Sequence, residues 1–239
     1  MTDNYHRIIV ALDYPNQKKA ESLLSLLKPE LKLVKIGSIL FSSEGPTILR
    51  WVKDLGLGIF LDLKYHDIPN TVAGAVEGVC KVAPLSLLTI HASGGREMIQ
   101  AARKSIDQLK PDERPKLLAV TILTSLNERI LDEIGFVPES PIELVARLAK
   151  LAMESGADGI VCSALEVSHL KKILPSKTVF VVPGIRSHSS TTKDDQQRVA
   201  TVKAALQAGA THLVVGRPIT QAADPKEAFL SLVREAKSS

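Results

Sequence analysis

The chain has 239 residues, 45% apolar and 23% charged, which excludes a disordered or collagen-like polypeptide and leaves enough length for a large core. Only 4% are aromatic, so that core must come from Leu, Ile, Val and Ala. Lys and Arg number 30 against 26 Asp and Glu; the net charge of +4 carries no like-charge run of a nucleic-acid arm and fits a site for an anionic small molecule.

Met1–Arg7 is polar, lacks the apolar centre of a signal peptide, and runs straight into a strand-like segment. Eight short apolar runs follow: Ile8–Asp13, Leu31–Gly37, Gly58–Lys64, Leu85–His91, Lys116–Leu123, Gly159–Ser163, Thr178–Pro183 and His212–Gly216. They are near-continuous rather than alternating, the mark of parallel strands covered on both faces. Segments of helical period lie between them. Leu144, Leu148 and Leu151 share one face of Pro141–Ser155, Ser140-Pro141-Ile142-Glu143 reads as a capping box, and Gly156 as the stop. Asp224-Pro225-Lys226-Glu227 repeats the start signal before the last helix. Strand and helix alternating eight times predict a (β/α)8 TIM barrel, an α/β fold in a single domain over 1–239. Ile185–Arg198 is unusually long and polar, as lids and binding loops are.

The longest apolar stretches, such as Leu85–Ile90, are far too short to span a bilayer. Cys80 and Cys162 both sit in apolar stretches and read as buried free thiols of a reducing compartment. A soluble cytoplasmic protein with no membrane or nucleic-acid partner is expected.

The third run carries the chemistry. Asp62 and Lys64 are two apart at a strand end and share a face, while Leu61 and Leu63 face the helices. Both charges then enter the barrel at its C-terminal mouth, where barrel enzymes keep their sites. Lys35 ends the second run and Asp13 the first, so both reach the same mouth, and Asp67 follows in the loop. Buried charges of alternating sign must neutralise one another. A structural ion-pair plug would explain one such pair; several at successive strand ends favour a functional site. Arg186 and Arg217 fall in the loops after the seventh and eighth strands, the usual phosphate position of this fold, and a guanidinium binds phosphate bidentately.

The segment Asp62-Leu63-Lys64-Tyr65-His66-Asp67-Ile68-Pro69-Asn70-Thr71 resembles the signature of the bacterial-type orotidine 5'-phosphate decarboxylase family. Matches continue along nearly the whole chain at Ala11-Leu12-Asp13, Val34-Lys35-Ile36-Gly37, His91-Ala92-Ser93-Gly94-Gly95, Leu123-Thr124-Ser125, Pro183-Gly184-Ile185-Arg186, Asp195-Gln196 and Gly216-Arg217-Pro218-Ile219-Thr220. The resemblance implies cofactor-independent, metal-free decarboxylation of orotidine 5'-monophosphate to uridine 5'-monophosphate, the last step of de novo pyrimidine nucleotide synthesis. It implies Lys64 as proton donor to C6, Asp62 facing the substrate carboxylate, Lys35 holding Asp62 and a ribose hydroxyl, and Asp13 on the ribose. Asp67, with its neighbours through Ile68 and Thr71, is implied to reach into a partner subunit's site, hence a homodimer. Thr124 is implied on the pyrimidine, and Arg186, Gln196, Gly216 and Arg217 on the phosphate.

Three rival readings remain. A magnesium-dependent sugar-phosphate barrel needs an acidic ligand at the end of the second strand, where Lys35 stands. A Schiff-base aldolase would use Lys64 or Lys35. A non-catalytic nucleotide-binding barrel gives no reason for Lys64 beside Asp62. The scattered histidines lack zinc spacing, no dinucleotide fingerprint follows the first strand, and His91 reads as a structural histidine near the mouth.

Overall fold

All eight apolar runs pair side by side in the computed structural model, which describes residues 4–28, 30–136, 140–186 and 199–238. The first half runs β1 (Ile8–Ala11), α1 (Gln17–Leu27), β2 (Leu33–Gly37), α2 (Ser38–Glu44), α3 (Thr47–Asp54), β3 (Gly58–Tyr65), α4 (Pro69–Val82), β4 (Leu87–His91) and α5 (Gly95–Asp107). The second half runs β5 (Lys116–Val120), α6 (Glu128–Glu133), α7 (Pro141–Glu154), β6 (Gly159–Val161), α8 (Ala164–Ile173), β7 (Val179–Val182), β8 (Ile185–Arg186), β9 (Ala200–Thr201), α9 (Val202–Ala208), β10 (His212–Val215), α10 (Arg217–Thr220) and α11 (Pro225–Lys237). The barrel closes in the order β1-β10-β7-β6-β5-β4-β3-β2, every pair parallel. The (β/α)8 expectation holds. No helix among the described residues is long and apolar enough to cross a membrane.

Side-chain alternation splits the core into two layers. Ile9, Ala11, Leu33, Phe60, Leu87, Leu118, Val181 and Val214 fill the barrel interior. Their neighbours Ile8, Val10, Val34, Ile36, Ile59 and Leu61 face the helices in the larger cluster. Burial on both faces is why the strands read as continuous apolar runs. Gly159 brings β6 against β7: a Cβ there would lie 2.2 Å from the Val179 carbonyl oxygen.

Most strands are shorter than the apolar runs. Leu31 N–H still bonds the Leu27 carbonyl at 3.2 Å, so β2 begins at Leu33. Ser163 leaves β6 to cap α8, where its N–H donates to Glu166 at 2.8 Å. The expected box at α7 is present: the Glu143 carboxylate accepts from the Ser140 N–H at 3.0 Å and its hydroxyl at 2.8 Å. Asp224 caps α11 by accepting from the Glu227 N–H at 2.9 Å. One pairing was not expected. At the two ends of the long polar connection, Ile185 and Arg186 pair with Ala200 and Thr201 as a separate two-stranded sheet.

His212 opens β10 at the floor of the barrel, with Nδ1 2.9 Å from the Thr211 hydroxyl. Burial pushes its imidazole down to about 4, helped by the charges of Arg7 and His6. The unfolded imidazole protonates near 6.5, so stability is unaffected above that pH and declines as pH falls from 6.5 toward 4. The full loss amounts to roughly 3 kcal/mol. Urea denaturation across this window should show a smaller decline for His212→Gln than for the parent; parallel declines would contradict this account.

Candidate active site

Inward-facing positions continue past the apolar layer, and there the side chains turn polar. Two residues beyond Ala11, Leu33, Phe60 and Leu87 stand Asp13, Lys35, Asp62 and Thr89. The Lys35 ammonium lies 2.8 Å from Oδ1 of Asp13 and 3.7 Å from Oδ2 of Asp62. The Lys64 ammonium lies 2.9 Å from Oδ1 of Asp62. The sequence Asp13–Lys35–Asp62–Lys64 is thus a chain of alternating charge across three adjacent strands. Its centre is the most enclosed part, with Lys35 and Asp62 side chains 11% and 12% exposed, against 45% and 34% for Asp13 and Lys64 at the ends. Such enclosure is tolerable because each central charge touches two of opposite sign.

Strand β3 is not regular where it delivers this pair. Leu61 pairs with Leu88 and Tyr65 with Ile90, so Asp62, Leu63 and Lys64 together face Thr89. Lys64 has φ 51°, the one non-glycine residue with positive φ among those described. That conformation costs about 1–2 kcal/mol for a residue with a Cβ. Its backbone N–H donates to the Thr89 hydroxyl at 2.9 Å, and that hydroxyl donates to Oδ1 of Asp62 at 3.0 Å. Thr89 is fully buried. Sequence reading passed over it, although a threonine inside a buried apolar strand, in phase with the inward face, was a usable signal.

A cavity of about 650 Å³ opens above the charges. Asp13, Lys35, Asp62, Lys64, Thr124, Arg186, Gly216 and Arg217 all line it, eight of the expected site residues. Apolar Ile39, Phe60, Ile122 and Leu123 form other parts of its wall. Arg186 sits in β8 and Arg217 opens α10, so both arginines reach the cavity from the loops expected to hold phosphate. Asp67, Ile68 and Thr71 do not line this cavity. They are exposed beside it at the start of α4, with Ile68 67% exposed and its N–H donating to Oδ1 of Asp67 at 2.7 Å. Gln196 lies outside the described residues, as does most of the expected loop, 187–198.

His91 is half-buried, its ring 5.3 Å from that of His66. Burial lowers its pKa, with His66 and Lys64 acting in the same direction and Asp62 opposing. It does not line the cavity. Neither cysteine is in a disulfide, and Cys80 is half-buried rather than buried. Burial pushes the Cys80 thiol up to about 11, which suits a packing role, whereas Cys162 is buried and borders the cavity.

A sequence model of the family described as "Orotidine 5'-phosphate decarboxylase / HUMPS family" matches residues 6–232. The orotidine 5'-phosphate decarboxylase of Chromohalobacter salexigens is 45% identical over 228 residues, covering 95% of this chain and 94% of that protein. That of a Marinomonas species is 48% identical over 218 residues, 91% of each. The crystal structure of orotidine 5'-phosphate decarboxylase from Lactobacillus acidophilus superposes with a TM-score of 0.85 at 39% identity, covering 96% of this chain and 98% of that one. With the barrel, the alternating charges and this coverage in agreement, the chain belongs to the orotidine 5'-phosphate decarboxylase / HUMPS family.

Proposed function

We propose that this chain, as one catalytic domain over 1–239, decarboxylates orotidine 5'-monophosphate to uridine 5'-monophosphate and carbon dioxide without a cofactor, the last step of de novo pyrimidine nucleotide synthesis in the cytoplasm. The observation that carries this reading is the alternating chain Asp13–Lys35–Asp62–Lys64 in one cavity with Arg186 and Arg217. The arginines and Gly216, with Gln196, take the phosphate. Asp13 and Lys35 take the ribose hydroxyls, and Thr124 the pyrimidine. That places the substrate carboxylate beside Asp62 and C6 beside Lys64.

Loss of carbon dioxide leaves an electron pair on C6. The Lys64 ammonium stabilises that charge as it develops and then transfers a proton from Nζ to C6. Asp62 repels the substrate carboxylate, a contact worth about 4 kcal/mol at about 4 Å and an effective dielectric of 20. The large rate enhancements of enzymes need about 20 kcal/mol. Repulsion is therefore the minor effect, and stabilisation of the transition state by Lys64, supported by binding energy from the remote phosphate, is the major one. The magnesium-dependent alternative is disfavoured by Lys35, whose ammonium holds the place where that chemistry needs an acidic ligand.

Lys35 needs room to bridge two carboxylates, and Gly37 provides it. A Cβ on Gly37 would lie 2.7 Å from Nζ of Lys35 and 3.2 Å from Oδ1 of Asp13. The backbone there is extended and accepts any residue, so Gly37→Ala leaves the fold in place and displaces the lysine tip and, by less, the Asp13 carboxylate.

Asp67 completes the site from a partner subunit in this reading. Its exposure beside the cavity, next to the exposed Ile68 and Thr71, supports a shared homodimeric site rather than a role within one chain.

Three measurements test the reading. Purified protein with orotidine 5'-monophosphate and a chelator should lose substrate absorbance, and Lys64→Ala should lower kcat by roughly 1,000-fold or more; no turnover by folded protein, or turnover that needs metal, overturns it. Gly37→Ala should keep its thermal midpoint while kcat/KM falls roughly 10- to 100-fold; unchanged turnover would remove Lys35 from the machinery. Inactive Lys64→Ala and inactive Asp67→Ala proteins, mixed and allowed to exchange subunits, should recover about a quarter of parental activity, because each hybrid dimer rebuilds one complete site. A mixture that exchanges subunits yet stays inactive would place Asp67 in its own chain's site.

A further inference from the structure

We propose that Thr89 is a positioning residue for the decarboxylation, holding Asp62 and Lys64 in their reactive arrangement; this rests on the function proposed above. Thr89 touches neither the cavity nor any expected substrate group. It acts through two hydrogen bonds made by one hydroxyl. The hydroxyl accepts from the Lys64 backbone N–H at 2.9 Å and donates to Oδ1 of Asp62 at 3.0 Å. The Lys64 ammonium lies 2.9 Å from the same Asp62 oxygen. One hydroxyl thus ties the lysine backbone to the carboxylate that the lysine tip also holds, closing a ring around the bulge.

The bulge needs such a tie. Three residues of β3 face one residue of β4, so the Lys64 N–H has lost its regular ladder position. A backbone N–H that is enclosed and unpaired is costly, and a lysine at φ 51° persists only where its surroundings over-determine it. Thr89 meets both demands. Being β-branched, it has a stiff χ1 that restricts the direction of its hydroxyl, and the side chain is fully buried. The Oδ1 bond fixes the carboxylate rotamer, leaving Oδ2 turned toward Lys35. The site therefore depends on a residue of the neighbouring strand that never meets substrate.

The ribose and phosphate groups are held from β1, β2, β8 and α10, not from the bulge. Loss of the hydroxyl should therefore damage turnover and spare nucleotide binding. Thr89→Val keeps the shape and removes the hydroxyl; Thr89→Ser keeps the hydroxyl and removes the methyl. Thr89→Val should lower kcat roughly 10- to 100-fold, the scale of a lost hydrogen bond to a charged group, with KM and the affinity for uridine 5'-monophosphate nearly unchanged. Thr89→Ser should stay within about threefold of the parent. Thermal midpoints and circular dichroism accompany each protein, and Thr89→Ala replaces the valine variant if that one does not fold.

A Thr89→Val kcat equal to the parent's overturns the proposal. So does a serine variant as impaired as the valine variant, which would trace the effect to packing, or a loss of product affinity that matches the loss of kcat. A parent protein that binds uridine 5'-monophosphate but turns nothing over overturns the decarboxylase reading, and this role falls with it; a parent that turns over while Thr89→Val matches it removes only Thr89.

Discussion

The Asp62 carboxylate, enclosed between two ammonium groups, is the constraint on which the site depends. Alone at 12% exposure it would be too costly to keep ionised, and either lysine without it would leave an excess positive charge over an apolar floor. With Asp13, which holds the other side of Lys35, they form a neutral set whose members cannot be removed singly. Much of the local architecture keeps that set in order. Gly37 leaves space for the Lys35 tip, Thr89 holds one carboxylate oxygen, and β3 departs from regular pairing where it delivers Asp62 and Lys64.

The barrel supplies this arrangement by repetition of a simple rule. On each of β1 to β4, an interior apolar residue is followed two positions later by a polar one that tops the floor: Ala11 by Asp13, Leu33 by Lys35, Phe60 by Asp62 and Leu87 by Thr89. The lower layer excludes water and lowers the local dielectric, and the upper layer uses that environment to strengthen its charges. Stability and chemistry thus occupy successive layers of the same strands, which is how one closed barrel can carry both.

This rule also explains what could be read from the chain. The eight strands were legible because burial on both faces makes each a continuous apolar run, and the placement of Asp13, Lys35 and Asp62 followed from strand ends and a period of two. The spacing puts Lys64 on the inward face, yet its backbone at φ 51° is not legible, because the register slip is accompanied by a bond to Thr89, 25 positions away on another strand. Strand ends were read too long at Asp13, Ser163 and Gly216, since capping and turning are decided by hydrogen bonds that apolarity does not report. The pairing of Ile185–Arg186 with Ala200–Thr201 joins two-residue segments too short to leave any periodic signal. Asp67, Ile68 and Thr71 were tied to the site by family resemblance alone, and their exposure outside the cavity shows why: no spacing within one chain would bring them there.

The charge balance of the cavity gives the reaction its direction. Asp13 and Asp62 balance Lys35 and Lys64, so the set is neutral by itself, and in the proposed reading Arg186 and Arg217, which line the same cavity, meet the phosphate dianion. A substrate bound through its phosphate then brings a carboxylate into a neutral set that has no unpaired cation for it, and the proposed Asp67 of a partner subunit adds a further negative charge. Departure of carbon dioxide followed by protonation at C6 removes one negative charge from the substrate at that point. In the proposed mechanism it also takes a proton from Lys64, whose side chain is 34% exposed and so open to solvent, unlike the enclosed Lys35. In that mechanism the exposed end of the chain of charges is the end that must exchange a proton on every turnover, and the enclosed centre is the part that must not.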